Sequence, residues 1–335
     1  MTGRSIAVVT GGAGFIGSHM VDVLVDRGFD VRVIDNLVGG REHNLAHHEG
    51  AGRVTLRRGD ICDITPDDPL FKDARYVFHF AGIGDIVPSI ERPVDYMSTN
   101  VMGTVRVLEA ARNTNGGRGV DRLVYAASSS CYGLARTPTD ESHPIDPKYP
   151  YALSKFQGEQ AALHWHEVYG LPVNSIRIFN AYGMRSRTSG AYGAVFGVFL
   201  RQKLAGEPFT VVGDGEQTRD FLYVTDVAEA FLAAAETEQL GEIYNLGAGK
   251  PQSVNRLVEL LGGEVVRIPK RPGEPDCTHA DIGKITAATG WKPKVSFDEG
   301  VAKVIANIDY WRDAPLWSPD SINQATKTWF LHMKD

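Results

Sequence analysis

Thr10-Gly11-Gly12-Ala13-Gly14-Phe15-Ile16-Gly17 is the stretch that decides the fold. The run before it, Ile6–Thr10, is short, apolar and β-branched, and residues 16–28 after it carry helical periodicity, so the glycines turn a buried strand into a helix. Each glycine has a task there. Gly11 permits the tight turn, Gly14 lets the backbone come close to a pyrophosphate, and Gly17 lets helix and strand pack. The free N–H groups at the start of the helix, with their partial positive charge, suit a phosphate. Phe15 and Ile16 fall in the same first turn.

Outward from this turn the pattern repeats. Val31–Asp35, Val54–Arg57, Tyr76–Phe80, Leu123–Ala127 and Val173–Ile178 read as further buried strands, with helices predicted over 94–113 and 151–169. Strands separated by helices imply right-handed βαβ units, hence an α/β fold with a Rossmann-type doubly wound parallel sheet. After Asn180 the texture changes: glycine, serine and arginine crowd 183–193, Gly213-Asp214-Gly215 marks a turn, and Pro/Gly-broken elements follow from 242. The expected division is a dinucleotide-binding domain over 1–179, with about 219–241 returning to it. Residues 180–335 then form mainly a smaller substrate-binding lobe at the carboxyl ends of the strands.

Bulk properties narrow the partners. The 335 residues are 43% hydrophobic and 23% charged, with a net charge of −6. That balance offers no general attraction for nucleic acid or an anionic membrane. Cys62, Cys131 and Cys277 follow no CxxC or metal-ligand spacing, so no metal site is expected and a reducing cytoplasm fits. No signal peptide or membrane-spanning run is visible, and the expectation is a soluble cytoplasmic protein.

Asp35 ends the second strand, where a carboxylate accepts from adenosine ribose hydroxyls and repels a 2′-phosphate. Asn36 follows it and brings no cation, so NAD is expected over NADP, with Arg41 the nearest charge that could answer a phosphate. Asp60-Ile61 would line the adenine, and Phe80-Ala81-Gly82 would border the cofactor farther along. Tyr151-Ala152-Leu153-Ser154-Lys155 sets a phenol and an ammonium on one face of a helix. A phenol is a poor base at neutral pH, and a nearby lysine together with a cationic nicotinamide would bring it toward the working range. Ser128-Ser129-Ser130-Cys131-Tyr132-Gly133 leaves the strand Leu123–Ala127 at the sheet's carboxyl edge, where one hydroxyl can hold a reacting sugar oxygen.

Together, Gly11–Gly17, Asp35, Ser128–Gly133 and Tyr151/Lys155 resemble the extended short-chain dehydrogenase/reductases, specifically the nucleotide-sugar epimerase and dehydratase branch. Asn100 in Ser98-Thr99-Asn100-Val101 resembles that family's structural asparagine before the helix, and the resemblance counts it among the cofactor-binding residues. Arg177-Ile178-Phe179-Asn180 resembles the segment whose asparagine contacts the sugar diphosphate, and Arg219-Asp220-Phe221, Tyr244-Asn245-Leu246-Gly247 and Arg271-Pro272-Gly273-Glu274 fit as well. The resemblance implies that Tyr151 deprotonates a sugar 4-OH while hydride passes to NAD, with Lys155 also on the nicotinamide ribose. It makes Ser128 the hydroxyl partner, with Ser129 the fallback. It also implies Arg219 and Arg271 on the diphosphate, Glu274 on the nucleotide ribose, and Thr278 beside the sugar's C2 side. Dehydratases carry two acidic residues where this chain has Ser129 and Ser130, so water elimination is disfavoured.

The resemblance therefore implies a 4-epimerase for a nucleotide-diphosphate sugar of the UDP-hexose class. The alternative is a 4-dehydrogenase releasing a keto product, on a GDP-linked sugar or heptose, and more distantly a non-catalytic NAD-binding regulator. Tyr182-Gly183-Met184 departs from the family's YGP, and Tyr192–Gly197 replaces a Val-Ile-Pro run beside uracil. The stretch Asn307–Asp335, with Trp311, Trp317 and Trp329, runs past the usual family ending and is expected to pack a terminal helix on the body. The helices over 94–113 and 151–169 resemble a four-helix dimer interface, with Val101, Val105, Leu108, Ala161 and Leu163 as its apolar positions, so a homodimer is expected.

Overall fold

The computed structural model describes residues 4–186, 195–270 and 272–333. Strands form on the β-branched runs: β1 Ile6–Thr10, β2 Asp30–Asp35, β3 Val54–Arg58, β4 Ala74–His79, β5 Arg122–Ser128 and β6 Val173–Ile178. The helices between them are α1 Phe15–Asp26, the short α2 Pro93–Tyr96 with a π-helical turn Met97–Gly103, α3 Thr104–Gly117, and α4 Pro150–Tyr169. In β5 every residue is buried, as a strand covered on both faces must be.

The smaller lobe interleaves with the return of the chain. It contains β7 Asn180–Tyr182, α5 Val195–Ala205, β8 Phe209–Val212, β9 Thr218–Arg219 and β10 Phe221–Tyr223. Next come α6 Val224–Glu236 and β11 Glu242–Leu246, then β12 Gln252–Ser253, α7 Val254–Leu261, β13 Val265–Ile268, α8 Gly283–Thr289, α9 Phe297–Ile305 and α10 Pro319–His332. β7 pairs with β10 and β8 with β13 in parallel, while β9 and β12 are antiparallel. An aromatic core of Tyr182, Phe196, Phe199, Phe221 and Tyr223 holds the lobe together, with Trp311 closing it.

The main sheet has seven parallel strands in the order β11-β6-β5-β4-β1-β2-β3. Its strand order reverses between β1 and β4, and a crevice opens there at the carboxyl ends. The chain's return runs farther than the expected 219–241. α6 packs on α1, and β11 then joins the sheet edge with Tyr244 opposite Ile176. The asparagine inside Glu242-Ile243-Tyr244-Asn245-Leu246 disguises a buried strand. Asn245 has no exposed surface because Nδ2 donates to the Thr139 carbonyl at 2.9 Å and Oδ1 accepts from the Tyr132 hydroxyl at 2.8 Å. Among the described residues no helix is long and apolar enough to cross a membrane.

Candidate active site

A cleft of about 950 Å³ lies at the crevice, between the sheet's carboxyl edge and the small lobe. The glycine turn forms its floor. Gly11 has φ +68°, and a Cβ there would sit 2.8 Å from the Ala81 nitrogen; a Cβ on Gly17 would sit 2.2 Å from the Gly11 carbonyl oxygen. Gly17 therefore packs α1 onto the turn itself, and it is Gly12 whose Cβ would strike β2, at Val33. No side chain caps α1 and no acidic residue stands in its first turn, so its amide N–H groups face the cleft.

Asp35 holds this turn in place. Its Oδ2 accepts from the Ala13 N–H at 3.0 Å and its Oδ1 from the Leu37 N–H at 2.8 Å. Burial pushes its carboxyl up, against the backbone hydrogen bonds that pull it down. Asn36 donates to Asp60 Oδ2 at 2.9 Å, and Asp60 Oδ1 accepts from the Cys62 N–H at 2.8 Å. Gly11, Gly14, Phe15, Ile16, Gly17, Asp35, Asn36, Asp60, Ile61, Phe80, Ala81 and Gly82 all line the cleft. A glycine cradle that any Cβ would fill, free helix amides and a strand-end carboxylate together fit a dinucleotide such as NAD.

Asn100 does not line the cleft. It is 1% exposed, in the π-helical turn, and its side chain is spent on the protein: Oδ1 accepts from the Ile83 N–H at 2.8 Å, while Nδ2 donates to the Ile83 carbonyl and to Ser154 Oγ. It ties the loop after β4 to α4, with Oδ1 packed against Gly82.

Tyr151 and Lys155 project from the first turns of α4 into the cleft, and Ser128 reaches it from the end of β5. Burial pushes the Tyr151 phenol up, and a hydrogen bond with the Ser128 hydroxyl opposes that rise. Lys155 is 7% exposed, and burial pushes its ammonium down to about 8, with Glu159 pulling the other way. Its Nζ lies over the Tyr125 ring, 4.6 Å from the centre. Desolvation is thus the largest effect on both groups. Ser129, the fallback, turns away: Ser128 caps a 3-10 turn over Ser129–Tyr132, which carries Ser129 into a separate small hollow beside Tyr132, Cys277 and Thr278.

On the substrate side Asn180, Arg219 and Glu274 line the cleft. Arg219 is presented by the β9 edge, next to Asp220, whose buried carboxylate accepts N–H bonds from Ala248, Gly249 and Ala280. Thr278 stands off the main cleft. Its hydroxyl donates to Asn180 Oδ1 at 2.6 Å and so orients Asn180. Arg271 and residues 192–194 lie outside the described residues. Sequence reasoning missed Ala314, Pro315 and Trp317, which line the cleft from the C-terminal segment, and Tyr149, whose ring stacks on Tyr151 at 6.5 Å. The C-terminal residues reach the cleft only through long-range contacts, which no local pattern announces. Away from the cleft, Asp22 Oδ1 meets His47 and His48 Nε2 at 2.7 and 2.8 Å while Arg185 donates to Oδ2 at 2.7 Å; hydrogen bonds account for the whole cluster.

Comparison with known proteins agrees with this geometry. Residues 7–247 match the model of the NAD dependent epimerase/dehydratase family. The chain is 34% identical over 308 residues to the UDP-glucose 4-epimerase of Mycolicibacterium smegmatis, covering 89% of this chain and 96% of that protein. It is also 34% identical over 314 residues to UDP-glucuronic acid decarboxylase 1 of Arabidopsis thaliana, covering 90% of this chain and 69% of that one. Among solved structures, the UDP-N-acetylglucosamine 4-epimerase of Methanobrevibacter ruminantium M1, in complex with UDP-N-acetylmuramic acid, superposes with a TM-score of 0.83 at 33% identity, covering 91% of this chain and 99% of that one. With the glycine turn, the Tyr151/Lys155 pair and the match over 7–247 in agreement, the chain belongs to the NAD dependent epimerase/dehydratase family.

Proposed function

We propose that this protein is a nucleotide-sugar 4-epimerase of the UDP-hexose class, working through a transient 4-keto sugar. The observation that carries the reading is one cleft in which Tyr151, Lys155 and Ser128 stand between the glycine turn and a wall offering Asn180, Arg219 and Glu274. NAD, when bound, supplies a hydride acceptor that gives back what it takes. Ser128 holds the sugar hydroxyl oxygen beside Tyr151, and the Tyr151 oxygen accepts the hydroxyl proton and later returns it. Lys155, on the same face of α4, favours the phenolate form while it holds its proton. Asn180 and Arg219 grip the diphosphate with charge-assisted bonds, Arg271 joins them on its sequence motif alone, and Glu274 takes the nucleotide ribose. A tethered diphosphate with a free-swinging keto sugar exposes either sugar face to the same acid–base group. Ser129 and Ser130 give no carboxylate for water elimination.

The curated epimerase relatives support UDP as the nucleotide, and the free Cys62, Cys131 and Cys277 favour a reducing cytoplasm. A homodimer through α3 and α4 is part of the proposal. On α4 Val168 and Tyr169 are 53% and 50% exposed, and on α2 and the π-helical turn that lead into α3 Val94 and Met102 are 72% and 57% exposed, while Val101, Val105, Ala161 and Leu163 are half-buried. Leu108, by contrast, is fully buried in the protein's own core. Incubation with UDP-, GDP-, dTDP- and CDP-sugars, followed by NMR, tests the function. Interconverted 4-epimers without accumulating NADH are expected. A ketone with stoichiometric NADH would turn the reading to a dehydrogenase, and carbon dioxide from a UDP-uronic acid would turn it to a decarboxylase.

A further inference from the structure

We infer that the C-terminal segment of this chain is part of the substrate site, with the Trp317 indole forming the wall against which the base of a nucleoside diphosphate lies; the inference rests on the nucleotide-sugar reading above. The family match ends at residue 247, yet Ala314, Pro315 and Trp317 line the same cleft as Tyr151 and the glycine turn. The sheet side of the cleft is fitted to the dinucleotide, and Asn180, Arg219 and Glu274 carry the polar middle. What remains is a wall from the small lobe, where Trp317 is joined by Phe199, Thr210 and Gln217. A broad apolar surface with a few hydrogen-bonding groups matches a heterocyclic base, which has π faces and polar edges.

The wall is fixed before any ligand arrives. Trp311 has no exposed surface and sits in the lobe's aromatic core. Buried Gln202 of α5 donates to the Trp317 carbonyl at 2.8 Å and to Thr210 Oγ1 at 3.0 Å, and Arg201 donates to the Ala314 carbonyl at 3.1 Å. α10 then starts at a capping box on Ser318 and brings Trp329 onto Tyr149, with ring centres 5.2 Å apart. Trp329 Nε1 also donates to the Pro272 carbonyl at 3.0 Å. The segment is thus pinned to α5 and β8 on one side and to the residue two before Tyr151 on the other. An aromatic wall anchored in this way loses little freedom when a base stacks on it.

Isothermal titration of the NAD-loaded protein with UDP, GDP, dTDP, CDP and inorganic pyrophosphate tests the inference in wild type, W317A and W317F. The nucleotide that wild type prefers is expected to bind W317A roughly tenfold or more weakly, as loss of base–aromatic stacking does. W317F should recover most of the affinity, and pyrophosphate should bind all three alike. Equal affinity of W317A and wild type for that nucleotide overturns the inference and leaves the nucleotide-sugar reading standing. An equal loss for pyrophosphate, or a loss that W317F does not recover, overturns it too, because the damage would then lie in the diphosphate grip or the fold. Wild type that binds none of the four nucleotides overturns both.

Discussion

Lys155→Met puts the electrostatics of the site to a direct test, because the side chain is buried and its ammonium falls from 10.5 to about 8. A base whose folded-state pKa is depressed costs stability wherever the folded protein still holds the proton. One pKa unit is about 1.4 kcal/mol, so the shift amounts to roughly 3 kcal/mol below pH 8. Removing the charge recovers that amount, less the contact of Nζ with the Tyr125 ring, worth about 1 kcal/mol. The net expectation is a variant about 2 kcal/mol more stable, with a melting temperature higher by about 4 °C at pH 7. The gap should close as pH rises from 8 toward 10.5, because wild type then sheds the proton in the folded state and the unfolded chain approaches neutrality as well. Turnover should fall by about two to four orders of magnitude, the usual cost of losing an acid–base partner. Differential scanning fluorimetry of both proteins from pH 6 to 10.5, beside an epimerisation assay, measures each part. A Lys155→Met protein that melts lower than wild type at pH 7, or a gap that widens with pH, would refute the reasoning.

The two serines should separate cleanly. Ser128→Ala is expected to lower kcat by about a hundredfold, since it removes the hydroxyl beside Tyr151, while Ser129→Ala stays near wild type in the same assay; the reverse order would reassign the role. Gly17→Ala places a Cβ 2.2 Å from the Gly11 carbonyl, so the turn must shift and the purified protein should lose most of its NAD, read as cofactor released on denaturation. Glu159→Gln leaves Arg177, 2% exposed, without its ion-pair partner, and chemical denaturation should show a loss of about 3–5 kcal/mol.

Much of this was legible in the chain because the signals were local. β-branched runs gave six strands, and the glycine turn, Asp35 and the Tyr151/Lys155 spacing are each short-range patterns whose geometry is set by the strand end or helix that carries them. Direction and distance are what local patterns do not carry. Ser128 and Ser129 are neighbours, and only the 3-10 turn that follows β5 decides which hydroxyl meets Tyr151. Asn100 and Thr278 are polar groups near the site, but their hydrogen bonds to Ile83, Ser154 and Asn180 come from elements far off in sequence. β11 was hidden because Asn245 looks wrong for a buried strand until its partners on Tyr132 and Thr139 are known. Trp317 looks like a packing residue in the sequence, since no local pattern places the C-terminal segment across the cleft.

The same long-range bonds surround Lys155, which keeps a low pKa one helical turn from a carboxylate. Glu159 ought to hold that ammonium up, and does pull that way, yet burial prevails. Glu159 is itself held by Arg177, whose Nε approaches both of its oxygens at 3.2 and 3.0 Å. Arg177 Nη1 donates in turn to the Tyr132 hydroxyl at 2.7 Å, and Tyr132 donates onward to Asn245. This chain of bonds joins α4, β6, the turn after β5 and β11, and each link is satisfied, as a buried polar network must be if it is to rigidify rather than destabilise. Apolar residues of the same volume could fill that space at comparable stability. They could not fix the Ser128 turn against the Tyr151 helix through directional bonds, and the acid–base reading requires that alignment.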